Sequence, residues 1–278
     1  MSKRAKSAQN GVPKPKRRQT RFLKRYILAS DNHPFVGRLY DLGIVSLNFD
    51  SYDELSKFPD IKYVMDTVGR VEALTTRVES LNLAGDLLWP EPMPEDFKKL
   101  PMTRYEWLTI AADIFIIRLV SVFDCALLLV NQVLQIGLKE RDCTYQKLSK
   151  EGLPSSLDDQ LQTMLEEQSG IRAERNSRIH HGLERAFTDD DVTFKTASLF
   201  NDRFHGMKGT DYSGRPINVD ISFREGLVWL QRDFNRHTKI LQSQLDTVYD
   251  LLVDEFESRF GPLVAAATHG LNAGARRK

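Results

Sequence analysis

The sequence predicts a mainly all-α protein, an antiparallel bundle of helices with one small β-hairpin insertion. Two observations predict the bundle: apolar residues recur at steps of three and four in several long segments, and prolines and glycines separate those segments. Two short segments in which apolar and polar residues alternate predict the hairpin. With 278 residues, 41% of them hydrophobic and 28% charged, a globular chain can bury a core without a disulfide or a metal.

The first 25 residues form a strongly basic segment. They contain ten Lys or Arg, no acidic residue and almost nothing apolar. Because such a segment cannot offset its ordering entropy by burial, we expect residues 1–25 to be a disordered arm. The formal net charge of the whole chain is only +1, so the rest of the chain carries about −9. The arm is interpreted either as a tail that keeps the protein soluble or as a segment that attracts RNA or DNA phosphates regardless of base sequence.

The helical domain is expected to span residues 26–262, and its first half contains two long helices. In the first, at 59–85, the apolar residues form a single stripe. The second, at 103–137, is apolar on most sides and contains Asp113 and Asp124. Charged side chains are costly at the centre of a bilayer, so this pattern favours a buried core helix over a membrane span.

The second half of the domain changes its periodicity twice. A short helix at 145–150 precedes a helix that begins with the capping residue Ser156. The β insertion is expected at about 191–223, where alternating segments flank a glycine-rich loop. A final helix over 224–262 closes at a Gly-Pro pair, and a flexible tail, 263–278, follows.

The stretch RAERNSRIHHG, which begins at Arg172, concentrates the candidate functional residues. On a helix of about 100° per residue, Arg172, Asn176 and His180 share one face. Arg175 lies about 60° from Arg172 and reaches the same face through its long side chain, whereas His181 points to nearly the opposite side. One helix face therefore presents two guanidinium groups, an amide and an imidazole.

Such groups have the chemistry to cleave RNA without a metal or another cofactor. An imidazole can take a proton from the ribose 2'-hydroxyl or give one to the leaving oxygen, and a guanidinium can bind two nonbridging phosphate oxygens. Attack by the 2'-hydroxyl leaves a 2',3'-cyclic phosphate and excludes DNA as a substrate. The same residues are also typical of a solvated helix end that closes at Gly182.

The segment RNSRIHH resembles the signature of the HEPN superfamily, in which an Arg, commonly followed by a polar residue, precedes a His near a helix end by four to six residues. Arg175 and His180 match with four residues between them, Asn176 occupies the polar position, and His181 fits the five-residue variant. One subgroup of the family carries a Tyr two residues after the His. Gly182 stands there in this chain, so regulation through that tyrosine is not expected.

The resemblance implies a HEPN-like helical bundle with metal-independent endoribonuclease activity. It assigns catalysis to Arg175 and His180, with Asn176 orienting one of these groups and His181 as the alternative histidine. We expect Arg172 and Arg178 to help bind RNA. Asp124 is interpreted either as a carboxylate that holds Arg175 from the neighbouring helix or as part of an internal polar layer.

The partners that the resemblance implies are RNA and a second copy of the chain, because the family builds a composite cleft where two such helices meet in a homodimer. Toxins and anti-phage defence effectors are common in the family, so an antitoxin or a defence-system protein is a further expected partner. Some members are noncatalytic modules that bind RNA or a protein, and this alternative stays open. Two isolated cysteines and no visible secretory signal favour the cytoplasm.

Overall fold

The computed structural model describes residues 19–182, 185–204, 210, 214 and 216–267. In these residues it confirms the all-α fold, with nine α-helices and no β-strand. The α-helices are α1 (Pro34–Gly43), α2 (Tyr52–Leu55), α3 (Pro59–Asp86), α4 (Arg104–Val133), α5 (Tyr145–Leu148), α6 (Ser155–Glu167), α7 (Ser169–His181), α8 (Asp191–Arg203) and α9 (Val219–Ala266). Short 3-10 turns lie at Ile44–Asn48, Phe97–Lys99, Glu140–Asp142 and Ser149–Glu151.

The core is organised around α4, which packs antiparallel to α3. Trp107 near the start of α4 donates a hydrogen bond to the carbonyl of Leu87, and Tyr63 near the start of α3 donates one to the carbonyl of Val133. Thr103 begins α4 with a capping box that uses Glu106. The predicted helices at 59–85 and 103–137 are therefore confirmed, although α4 ends at Val133.

The longest helix, α9, packs against both α3 and α4. It runs antiparallel to α3, because Gln231 donates to the carbonyl of Leu88 while Phe256 stacks on Tyr63. The predicted end at the Gly-Pro pair is wrong, since α9 continues through Pro262 to Ala266. A proline deletes only one backbone donor, and so close to the helix end that loss removes little of the hydrogen-bond ladder.

Residues 19–33 form neither helix nor strand and run along α9. The backbone amides of Leu23, Tyr26 and Ala29 donate in turn to the side chains of Gln231, Asn235 and Gln242. Of the predicted basic arm, residues 1–18 lie outside the described residues. Its last part, from Leu23 onward, is hydrogen-bonded to the helical domain.

The predicted β insertion at 191–223 is wrong over the residues that the structure describes. Its first half is helix α8, and its end is the first turns of α9. The buried residues of α8 recur at steps of three and four, as in a helix, and this spacing extends over more residues than the alternating pattern does. They are Phe194, Ala197, Ser198 and Asp202. An isolated bridge between Thr210 and Pro216 is the strand-like pairing that is described between the two helices.

The predicted helix from Ser156 through the motif is divided in two. It starts at Ser155, with Pro154 rather than Ser156 in the capping position, and it is interrupted at Gln168, whose side chain is buried. The interruption gives α7 its own direction. No helix in the described part of the chain combines the length and the hydrophobicity that a membrane crossing needs.

Candidate functional site

Helix α7 lies antiparallel on α4, and two ion pairs fix it there. Arg172 Nη2 lies 2.8 Å from Asp124 Oδ1, and Arg178 Nε lies 2.5 Å from Asp113 Oδ1. Arg178 also donates to the carbonyl of Thr109 over 3.3 Å. The two aspartates are three turns apart on α4, so one face of α4 receives both ends of the motif helix.

Arg175 lies between these two arginines on α7 and is paired differently. Its Nε and Nη2 atoms donate to Oδ1 of Asn176 over 3.2 and 3.0 Å, and no carboxylate contacts it among the described residues. Between Asp113 and Asp124, α4 presents Ile117, which is 41% exposed. In the described part of the chain, the guanidinium of Arg175 is thus held by a neutral amide rather than by a carboxylate.

The remaining motif residues are exposed. Asn176 and His180 lie on the outer side of α7, away from the buried Ile171, and His181 lies about 100° around the helix from His180. The helix ends at Gly182, which adopts a left-handed conformation with φ of 63° and donates to the carbonyl of Ser177. The predicted placement of the motif at a helix end is therefore confirmed.

One predicted contact within the site is wrong. Asp124 does not hold Arg175, because its carboxylate pairs with Arg172, whose guanidinium also lies over the Phe123 ring at 5.0 Å. Arg172 is one turn nearer the start of α7, and because the helices are antiparallel that turn faces the later turns of α4. Arg178 is only 6% exposed, so a direct RNA contact by its guanidinium would require its pair with Asp113 to open.

A second layer of charges ties α7 to α9, and the sequence does not predict it. Glu174 Oε1 lies 3.4 Å from Arg185 Nε and 3.9 Å from Arg178 Nη1. Arg185 in turn pairs with Asp233 over 2.5 Å. The spacing of Glu174, four residues before Arg178, is a recognisable helix pair, but its contact with Arg185 depends on the tertiary fold.

Three exposed isoleucines surround the pair of Arg178 with Asp113. Ile110 and Ile117 lie one turn before and one turn after Asp113 on α4, and Ile179 follows Arg178 on α7. Their exposed fractions are 40%, 41% and 55%. This isoleucine patch therefore borders the surface that carries the motif.

A family model described as HEPN_Cthe2314-like HEPN matches residues 90–250, more than half of the chain. The chain belongs to the HEPN superfamily. The matched region contains α4, α7 and most of α9, and it includes the whole motif. HEPN membership supports an RNase-type or RNA-binding helical module in general. Comparisons with curated proteins and with solved structures gave no match.

Proposed function

We propose that the protein is a metal-independent endoribonuclease of HEPN type. The observation that best supports this proposal is the pairing of Arg175, which contacts no carboxylate among the described residues, while the arginines three residues before and after it are each paired with an aspartate. A guanidinium held by a neutral amide is suited to bind the nonbridging oxygens of a phosphate. His180, exposed on the outer side of α7 where the Asn176 amide holds the Arg175 guanidinium, would supply the proton transfer.

In the proposed reaction the ribose 2'-oxygen attacks the adjacent phosphorus. A histidine accepts the proton of the 2'-hydroxyl, the bond from phosphorus to the 5'-oxygen breaks, and a protonated histidine returns a proton to that leaving oxygen. Arg175 stabilises the charge that develops on the phosphoryl oxygens. The products are a 2',3'-cyclic phosphate and a 5'-hydroxyl end.

The reaction uses one group as base and another as acid, and a homodimer supplies both through two copies of His180. The isoleucine patch supports this arrangement, because exposed apolar residues beside a polar site are typical of interaction surfaces. Pairing of two patches would bring two motifs together in a composite cleft. The activity fits a toxin or an anti-phage effector that an antitoxin or a defence partner holds in check.

The test is cleavage of single-stranded RNA in EDTA by the purified full-length chain. Arg175→Ala and His180→Ala are expected to lower the rate at least about a hundredfold, since each removes a group that acts on the transition state. His181→Ala decides which histidine acts, because His181 is the alternative catalytic residue, and Arg38→Ala, on the remote helix α1, is the control. A cyclic phosphate is expected by mass spectrometry, and DNA is expected to stay intact. Wild-type cleavage rates in both motif variants would refute the proposal.

A noncatalytic RNA-binding module is the second candidate. A catalytic base is commonly oriented by a third group. The ring of His180 has no hydrogen-bond partner among the described residues, and this observation favours the noncatalytic module. Expression in cells separates the two. Toxicity that disappears with His180→Ala supports the nuclease, whereas harmless expression combined with tight RNA binding in vitro supports the module.

A further inference from the structure

A cavity beside the motif helix lies between residues 185–189 and α9. It has a volume of about 470 Å³, and its lining includes Arg185, Thr188, Trp229 and Arg232. Arg185 is three residues after Gly182, so their Cα atoms are at most about 11 Å apart. The cavity is therefore close enough to the motif to receive part of the same ligand.

The guanidinium of Arg185 is held rigidly at the cavity wall. Its Nε and Nη2 atoms are paired with Glu174 and Asp233, and its Cζ lies 4.1 Å from the centre of the Trp229 ring. One face of the guanidinium is thus covered by the indole. Its third nitrogen, Nη1, is buried and has no hydrogen-bond partner in the described part of the chain.

Thr188 adds a second unpaired polar atom to the same wall. Its Oγ1 is buried without a partner among the described residues, although its backbone amide donates to Asp191. Buried polar atoms are nearly always hydrogen-bonded, and an orphaned one indicates a missing partner. Two orphaned atoms at one cavity indicate a ligand that offers hydrogen-bonding groups.

The charges of the cavity favour a neutral ligand over a phosphate. The lining contains two arginines, Arg185 and Arg232, and two acidic residues, Asp189 and Glu225, so its formal charges cancel. Unpaired nucleobases have the required combination of a neutral ring, a flat face and hydrogen-bonding edges, and proteins bind them by stacking on aromatic rings and guanidinium planes.

We propose that this cavity binds an unpaired nucleobase of the RNA, next to the phosphate that Arg175 and His180 engage. The base stacks against the Arg185–Trp229 pair, and the side chains that cover the buried Arg185 Nη1 and Thr188 Oγ1 move aside so that these atoms bind its edge. Gln19, which also lines the cavity and accepts a hydrogen bond from Arg232, belongs to the basic arm, so the arm passes the mouth of the cavity. This inference rests on the proposed function for its substrate.

Thr188→Val tests the proposal with little risk to the fold, because the hydroxyl that it removes makes no hydrogen bond among the described residues. Binding is measured with the full-length His180→Ala chain, using a single-stranded RNA of mixed sequence, the same RNA with abasic sites, and free nucleoside monophosphates. Thr188→Val is expected to weaken binding of the intact RNA about two- to twelvefold, the equivalent of one net hydrogen bond, and to leave the abasic RNA unaffected. Thr163→Val, an exposed threonine on α6, is the matched control.

Several outcomes overturn the proposal. Equal affinity for intact and abasic RNA does so, and so does an affinity for intact RNA that Thr188→Val leaves unchanged. Tight binding of free monophosphates that the intact RNA does not displace would assign the cavity to a free nucleotide instead. The readout is binding, so a cavity that prefers base-containing RNA would stand even if the wild-type chain cleaves no RNA, and in that case only the nuclease proposal fails.

Discussion

Replacing Asp113 by asparagine tests whether buried charge holds the motif helix in place. The side chain of Arg178 is 6% exposed and that of Asp113 is 41% exposed. Asp113→Asn preserves the shape and an acceptor oxygen but removes the negative charge that faces the guanidinium. The charged guanidinium then keeps a weaker hydrogen bond at this point, to a neutral acceptor.

The expected loss follows from these contacts. A hydrogen bond to a charged partner contributes about 1.5–3 kcal/mol, and a neutral one about 0.5–1.5 kcal/mol. Breaking a fully buried pair costs about 3–5 kcal/mol, but Asp113 is partly solvated and the Thr109 carbonyl still accepts from Arg178. We therefore expect a loss of about 1–1.5 kcal/mol in the free energy of unfolding.

Asp124→Asn is the matched control, because it removes the same charge from the same helix face. The pair of Arg172 with Asp124 is more exposed, at 20% and 50%, so its loss is expected to cost about 0.5 kcal/mol. Urea unfolding at neutral pH, followed by far-ultraviolet circular dichroism, gives both values, provided that the m-values are equal. Equal losses, or a larger loss for Asp124→Asn, would refute the argument that burial decides the strength of these pairs.

Three further predictions concern other parts of the molecule. Gly226→Ala is expected to lower the free energy of unfolding by about 1–3 kcal/mol, because its Cβ would overlap the buried Leu108 side chain, and an unchanged urea midpoint would contradict this. Burial lowers the pKa of His237 below its ordinary value of 6.5. A histidine whose pKa is lowered by folding stabilises the folded state above its unfolded pKa, and this stability is lost as the pH falls through the folded pKa. In urea titrations, His237→Gln should therefore lose less stability than wild type between about pH 7 and pH 5. Ile117→Glu should give Arg175 a carboxylate partner and lower RNA cleavage more than Ile117→Gln does, and equal rates for the two variants would show that the charge of Arg175 is not needed.

The long helices are predictable because their apolar stripes are unambiguous over many turns, as in α3 and α4. The short elements are not. Helix α8 contains a few alternating residues that mimic a strand, and only its packing shows that Phe194 and Ala197 share a helical face. Helix α1, with ten residues, is too short to be stable alone and depends on burying Phe35, Val36 and Leu39 in the core.

The candidate site is predictable in its residues but not in its pairings. The spacing of the motif is sufficient to place Arg175, Asn176 and His180 at a helix end. The carboxylates that pair with Arg172 and Arg178 lie 48 and 65 residues earlier in the chain, on α4. Their partners depend on the antiparallel packing of α7 on α4, which no local pattern specifies. Spacing alone therefore does not show that Asp124 pairs with Arg172 rather than with Arg175.

The pairing pattern explains how a mildly acidic domain can present the proposed phosphate site. Arginines at 172, 175 and 178 are spaced by three, so each is rotated by about 60° from the previous one and all three lie toward α4. Because α4 offers carboxylates at 113 and 124 and an isoleucine at 117, the outer two guanidinium groups attach α7 to α4, and the middle one has no carboxylate partner among the described residues. The outer pairs also fix the direction of α7, so the charge of Arg175 is held at one position relative to His180. A single preorganised charge costs less desolvation than three clustered ones, and it is the arrangement that stabilisation of one phosphoryl group requires.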